Sequence, residues 1–397
     1  MRILYISNAN AMAGASLALL HIVREMRKRG HETFVVTPAD KGPLPAKLNE
    51  VGCPCIQINM RGNFYPTNPN PIFYLPRLFL MLFLNFRASI KIKKIIRDYQ
   101  PDIVHTNVGP VNVAVDTCLR MQIPHVWHQR EYIDIGLGYH IFPTHQSFLR
   151  QSHRKGNYNI CITRGVFEHS DFREGIDRVI YDGVFTKASS FPAHIKEKQK
   201  YILFVGRIHP SKGTLDVISV FCRFSRKYPQ YKLLIAGSFN RQNKYVAECF
   251  KMVDDNNMQQ KISFLGERTD VYELMAKAAM LVVPSPFEGF GFITAEAMLN
   301  FCPVVGRNTA GTKEQFDHGL KSTGKEIGFR FLNDEEMFDA MCKAVETDCT
   351  DMCIRAHDVV VSSYTVEHNV DQIENYYRFV QKDFTKNDYN DSAIILI

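Results

Sequence analysis

Short apolar runs alternate with helical patterns through the first half of the chain. Residues 2–7 read as a strand and 8–13 as a loop of small residues. A helical period over 15–29 stops at Gly30, a natural left-handed cap. Further strands are expected at 32–37, 55–59, 103–107, 125–129 and 159–163. Strands separated by helices need crossover connections, so this order implies a parallel sheet covered on both faces. A second series follows, with strands at 201–206, 232–236, 261–265, 280–283 and 303–306. Helical patterns over 214–227, 244–255, 271–278 and 293–301 lie between them. Two such series predict an α/β protein of two doubly wound domains, with ligand in the crevice at the strand C-termini.

The domains are expected at 1–190 and 191–364, with the boundary in the polar segment 187–199, which contains Pro192. A long helical pattern over 366–382 suggests a helix, within 365–385, that crosses back onto the first domain. Residues 386–397 read as a tail whose apolar end, 394–397, has no assigned place. One segment stands apart. Residues 71–98 contain a nearly unbroken apolar run, 78–86, and then Arg87, Lys91, Lys93, Lys94 and Arg97. The run is about half of the roughly 20 residues needed to span a bilayer. Three readings stand: a buried helix with a solvated basic end, an interfacial helix on an anionic leaflet, or a span.

Composition narrows the class. The 397 residues are 45% hydrophobic and 22% charged, an ordinary globular mixture. That excludes a disordered chain, a collagen-like repeat and a small disulfide scaffold, and a slightly negative mean hydropathy argues against a polytopic membrane protein. The net charge of +7 is uneven: residues 1–190 hold 23 Lys/Arg against 14 Asp/Glu, and 191–397 hold 25 against 27. The basic excess lies in the first half, which suits docking of one face on an anionic surface; no nucleic-acid partner is expected. The first residues read as a strand and not as a signal peptide. With ten scattered cysteines, this suggests reduced thiols and a cytoplasmic protein, peripheral on the inner face of the membrane if 71–98 docks there.

Two stretches carry chemistry. Pro284-Ser285-Pro286-Phe287-Glu288-Gly289-Phe290-Gly291-Phe292 follows a buried strand and enters a helix holding Glu296. Gly289 and Gly291 let the backbone approach a ligand, and a helix N-terminus suits a phosphate. Glu288 and Glu296, eight positions apart, can then accept hydrogen bonds from hydroxyls on either side of that phosphate. A nucleotide sugar has this layout. The second stretch, Gly206-Arg207-Ile208-His209-Pro210-Ser211-Lys212-Gly213, places two cations at a strand end, where they can neutralise a diphosphate.

These motifs resemble those of the family 4 retaining glycosyltransferases of the GT-B fold, two Rossmann-like domains facing a central cleft. The resemblance covers nearly all of 1–382. It implies that Arg207 and Lys212 hold the donor diphosphate, that Glu296 binds the ribose, and that Glu288 binds the transferred sugar. The backbone from Phe290 to Phe292 would meet sugar or phosphate, Arg268 would hold the base, and Gly14 would belong to the glycine-rich first loop, where Ala13 replaces a second glycine. His128 would contact the transferred sugar, with Arg130 and Glu131 shaping the acceptor or phosphate region. Asp182 stands where the family usually has Asn. Transfer would be front-side, aided by the leaving diphosphate. No Asp-x-Asp occurs, which fits chemistry without a metal or other cofactor.

Weaker patterns are set aside. Cys349, Cys353 and His357 fall on one helix face and read as core packing; Cys53 and Cys55 read likewise. Gly324-Lys325-Glu326 lacks the Ser or Thr of a phosphate loop. The expectation is therefore a retaining transfer from a nucleotide sugar, taken to be UDP-linked, to a glycan or lipid-linked glycan hydroxyl in bacterial surface polysaccharide assembly. The alternatives are a nucleotide-sugar epimerase and a non-catalytic binder.

Overall fold

Fifteen strands build two parallel sheets and one ribbon in the computed structural model, which describes residues 1–12, 14–66, 71–132, 134–135, 139–189 and 191–386. In chain order the first nine are β1 (Arg2–Ile6), β2 (Glu32–Pro38), β3 (Cys55–Ile58), β4 (Phe64–Pro66), β5 (Ile103–Thr106), β6 (His125–Gln129), β7 (Tyr139–Ile141), β8 (Asn157–Cys161) and β9 (Arg178–Val179). Seven form a sheet in the order β3-β2-β1-β5-β6-β8-β9, and β4 pairs antiparallel with β7. β1 shows why the sheet is covered on both sides. Its side chains alternate, so Ile3 and Tyr5 enter one core with the helix Gly14–Lys28, and Leu4 and Ile6 enter another with Ala88, Ile92 and Ile96.

The second sheet contains β10 (Gln199–Val205), β11 (Lys232–Ala236), β12 (Ile262–Gly266), β13 (Ala278–Val283), β14 (Val304–Arg307) and β15 (Phe329–Phe331), in the order β12-β11-β10-β13-β14-β15. Strand order reverses between β10 and β13, and the loops after these two strands carry both sequence motifs.

Two compact units result. One holds Met1–Gly183 with the final helix Val366–Lys386, and the other holds Val184–Thr365. The division falls ahead of the polar segment 187–199. Val184 already donates its N–H to Tyr364 O (2.8 Å), and Phe185 bridges Thr365, so both residues are built into the second unit. In the final helix, Val370, Ile373, Tyr377 and Val380 recur at helical spacing and join the core of Ile3 and Tyr5.

The helix Pro71–Tyr99 is continuous, with Pro76 inside it. Met81, Asn85, Ala88, Ile92 and Ile96 are buried along one face. The expectation of a buried apolar helix fails on the opposite face, where large hydrophobic side chains stand in solvent.

Candidate functional site

In the second unit, β13 ends at Val283 and the chain runs through 284–291 into the helix Phe292–Leu299. The carbonyls of this loop are tied from a second segment. Pro284 O accepts from Arg307 Nε (2.7 Å), Pro286 O from Thr309 Oγ1 (2.8 Å) and Glu288 O from the Gly311 N–H (2.9 Å). Gln315 Nε2 donates to Phe290 O (2.6 Å) and Gly291 O (3.0 Å). Gly311 must lack a side chain, since a Cβ there would stand 2.4 Å from Phe290 O. The buried Phe290 ring packs edge-on against Tyr364. Gly291, at φ +87°, caps the helix, whose first N–H groups have no intrahelical acceptor and attract an anion.

β10 leads into the loop carrying Arg207 and Lys212. Gly213, at φ +67°, starts the helix Thr214–Lys227. Ser285 Oγ donates to Ser211 O (2.8 Å), which ties the two loops together. Lys212 Nζ donates to Glu288 Oε1 at 2.6 Å, so the predicted diphosphate cation and sugar carboxylate are partners. Arg207 is exposed and makes no ion pair among the described residues. Burial, then the charges of Arg207 and Lys212, lower the pKa of His209, whose Nδ1 accepts from the Ser211 N–H.

Glu296 lies one turn inside the helix and accepts from Tyr272 Oη (3.1 Å). It has no cationic partner among the described residues, and burial raises its pKa. Arg268 lies on the loop after β12, where Asp270 holds its guanidinium at 2.8 and 2.6 Å; it makes no hydrogen bond to Glu288 or Glu296. The structure thus joins Lys212 to Glu288 and brings the loops of Arg207, Gly289, Phe290, Gly291 and Phe292 to the C-terminal ends of the neighbouring strands β10 and β13. Arg268 stays with its own loop.

The first unit has a separate polar cluster. His128 stands one residue before the end of β6 and is wholly buried. Arg130 forms a buried ion pair with Asp182 and donates from Nε to Asn107 O and Oδ1. Arg130 Nη2 lies 3.2 Å from His128 Nδ1. A guanidinium only donates, so Nδ1 is the acceptor and the proton sits on Nε2. His128 Nε2 is buried without a partner, an N–H donor awaiting an acceptor. His105 packs behind it, with Nε2 3.3 Å from His128 Nδ1 and Nδ1 2.6 Å from Tyr377 Oη. Burial, then the Arg130 cation, push both imidazoles well below the ordinary histidine value. In this tautomer His128 offers a hydrogen-bond donor at Nε2. Gly14 opens the helix Gly14–Lys28, and Asn107 Nδ2 ties the next residue through Ala15 O (2.9 Å). Ala13 lies outside the described residues.

Sequence reasoning missed Arg307, Thr309, Gly311 and Gln315, which hold the loop, and Tyr272, His105 and Tyr377, which hold the two carboxyl and imidazole groups. The stripe of Cys349, Cys353 and His357 is packing: His357 stacks on Phe301 and donates to Leu299 O (2.8 Å). Among the described residues no group of three or more His, Cys, Asp or Glu could hold a metal ion.

Two family models match in succession. Residues 12–187 match the model described as Glycosyltransferase Family 4, and residues 186–347 match Glycosyl transferases group 1. Glycogen synthase of Mycobacterium tuberculosis is 25% identical over 59% of this chain and 59% of its own. N-acetyl-alpha-D-glucosaminyl L-malate synthase of Bacillus anthracis is 25% identical over 48% of each. The chain thus spans about half of the length of these relatives. Among solved structures, Anabaena HepE in complex with UDP superposes with a TM-score of 0.74 at 22% identity, over 96% of this chain and 100% of that one.

Proposed function

The two successive matches on one GT-B fold indicate a glycosyltransferase of the family 4 type, and from that premise we propose that the chain moves a sugar from a UDP-sugar to an acceptor hydroxyl with retention of configuration. The observation that carries the proposal is the tied loop 284–291, with Lys212 on Glu288, Glu296 one turn into the helix and Arg207 unpaired nearby in sequence. A diphosphate at the helix start would meet Arg207 and Lys212, the ribose hydroxyls would meet Glu296, and sugar hydroxyls would meet Glu288. His128 would give its Nε2 proton in a hydrogen bond to the sugar.

In the reaction the bond from the anomeric carbon to the β-phosphate oxygen breaks. The acceptor oxygen bonds to that carbon on the same face, and its proton passes to the departing phosphate oxygen. The chain's part is to orient the two substrates and to stabilise the charge on the leaving group. Arg207 and Lys212 supply the positive charge, so no divalent metal is needed. The acceptor is a glycan or lipid-linked glycan, in the cytoplasmic assembly of a bacterial surface polysaccharide.

Thermal unfolding with a panel of UDP-, GDP- and ADP-sugars tests the donor site, since a ligand of the folded state raises stability by mass action. A selective shift with a UDP-sugar is expected, and no shift with any of them in a folded sample overturns the reading. With the donor fixed, NMR of the product's anomeric proton reports retention. Isomerised donor without acceptor would indicate an epimerase, and binding without turnover a binding protein.

A further inference from the structure

The outward face of the helix Pro71–Tyr99 has an order that core packing does not explain. Ile72, Leu75, Phe79, Phe83, Phe86 and Ile90 follow one another at three- and four-residue steps and are 47% to 77% exposed. The inward face is apolar as well and is occupied, with Ala88, Ile92 and Ile96 in the core beneath. The helix thus carries two apolar stripes, of which the sheet covers one. Its C-terminal half adds Arg87, Lys91, Lys93, Lys94 and Arg97 against the single acid Asp98.

We infer that this helix docks the protein on an anionic lipid surface, lying in the interface with its outward stripe among the acyl chains and its cations at the headgroups. Length and composition alone would let it cross a membrane. Its inward side chains prevent that while the unit is folded. Asn85 accepts from the Arg61 N–H and donates to Arg61 O and Asn63 Oδ1, all at 2.9 Å, and Ser89 Oγ donates to Val113 O (2.7 Å). A spanning helix would have to abandon these bonds and the core contacts together. A second copy of the chain is the wrong partner by charge, because it would bring the same cations against these. An anionic leaflet supplies the opposite charge and an apolar layer at once. The inference stands apart from sugar transfer and needs no donor.

The test is sedimentation of the full chain with vesicles of phosphatidylcholine, with and without about one third phosphatidylglycerol. Wild type is expected to sediment with the anionic vesicles and to be released by high salt. Phe79→Glu with Phe86→Glu should abolish sedimentation while leaving the unfolding temperature unchanged, since both side chains are exposed. Neutralising Arg87, Lys91, Lys93 and Lys94 to Gln should weaken binding by at least about a hundredfold. Wild type that stays in the supernatant at low salt, or variants that sediment like wild type, overturns the inference. So does a solution dimer that the two Phe→Glu changes split, because a second copy would then cover the stripe.

Discussion

Lys212 and Glu288 share a 2.6 Å contact, so substituting either changes two predicted functions at once. Charged hydrogen bonds contribute roughly 1.5–3 kcal/mol each. Lys212→Ala and Arg207→Ala should each cut kcat/KM by about one to two orders of magnitude; Lys212→Ala should also release Glu288 and weaken sugar selectivity, measured with competing UDP-sugars. Glu296 gives the opposite balance. Its carboxyl is raised by burial, so the folded state holds the proton more tightly and neutral pH costs stability. Glu296→Gln should leave the apo protein at least as stable in thermal unfolding, yet weaken UDP binding by about tenfold or more in calorimetry. The buried imidazoles set a pH dependence of the other sign. His125 is pushed down to about 4, and His105 and His128 are lowered too, so below the ordinary histidine value the unfolded chain binds more protons. Stability should hold above about pH 6.5 and fall below it, by about 2 kcal/mol at pH 5 from His125 alone, as read by urea unfolding across that range. The placing of Glu288 and Glu296 about a helix start, and of Lys212 on a loop after a strand, was legible in the sequence because such spacing is local. Tyr272 and His105 were not, because only the folded chain brings them to Glu296 and His128.

At the scale of elements, the donor loop owes its shape to the segment 307–315. Gln315→Ala removes a buried donor to the carbonyls of Phe290 and Gly291. It should cost about 1–3 kcal/mol of stability and weaken donor binding together, where a purely remote defect would lower the unfolding temperature alone. The strands and helices around this loop could be read from alternation because each buries a regular face. β9 and β15, of two and three residues, are too short to show a period, and the ribbon of β4 and β7 pairs segments far apart in sequence. The helix Pro71–Tyr99 was legible in its extent but not in its packing, since two apolar faces read alike until the sheet takes one of them.

For the whole molecule, the first unit depends on a helix that follows the second unit in the chain. Val370, Ile373, Tyr376, Tyr377 and Val380 are core residues of a sheet that begins at Arg2. A chain cut after Thr365 should lose cooperative unfolding of that unit and expose apolar surface to a hydrophobic dye, while Val184–Thr365 keeps its own transition. The sequence suggested such a helix from its periodicity and expected it to return to the first domain; the side chains it meets there came only from the fold, because a helical stripe does not name its contacts. The same connectivity fixes an order of events during synthesis. Residues 1–183 leave the ribosome first but lack one wall of their core until Val366–Lys386 follows, whereas everything the second sheet needs is contiguous. The half that is translated first is therefore the half that finishes folding last, and it waits through the making of the other with its apolar strands in need of shelter.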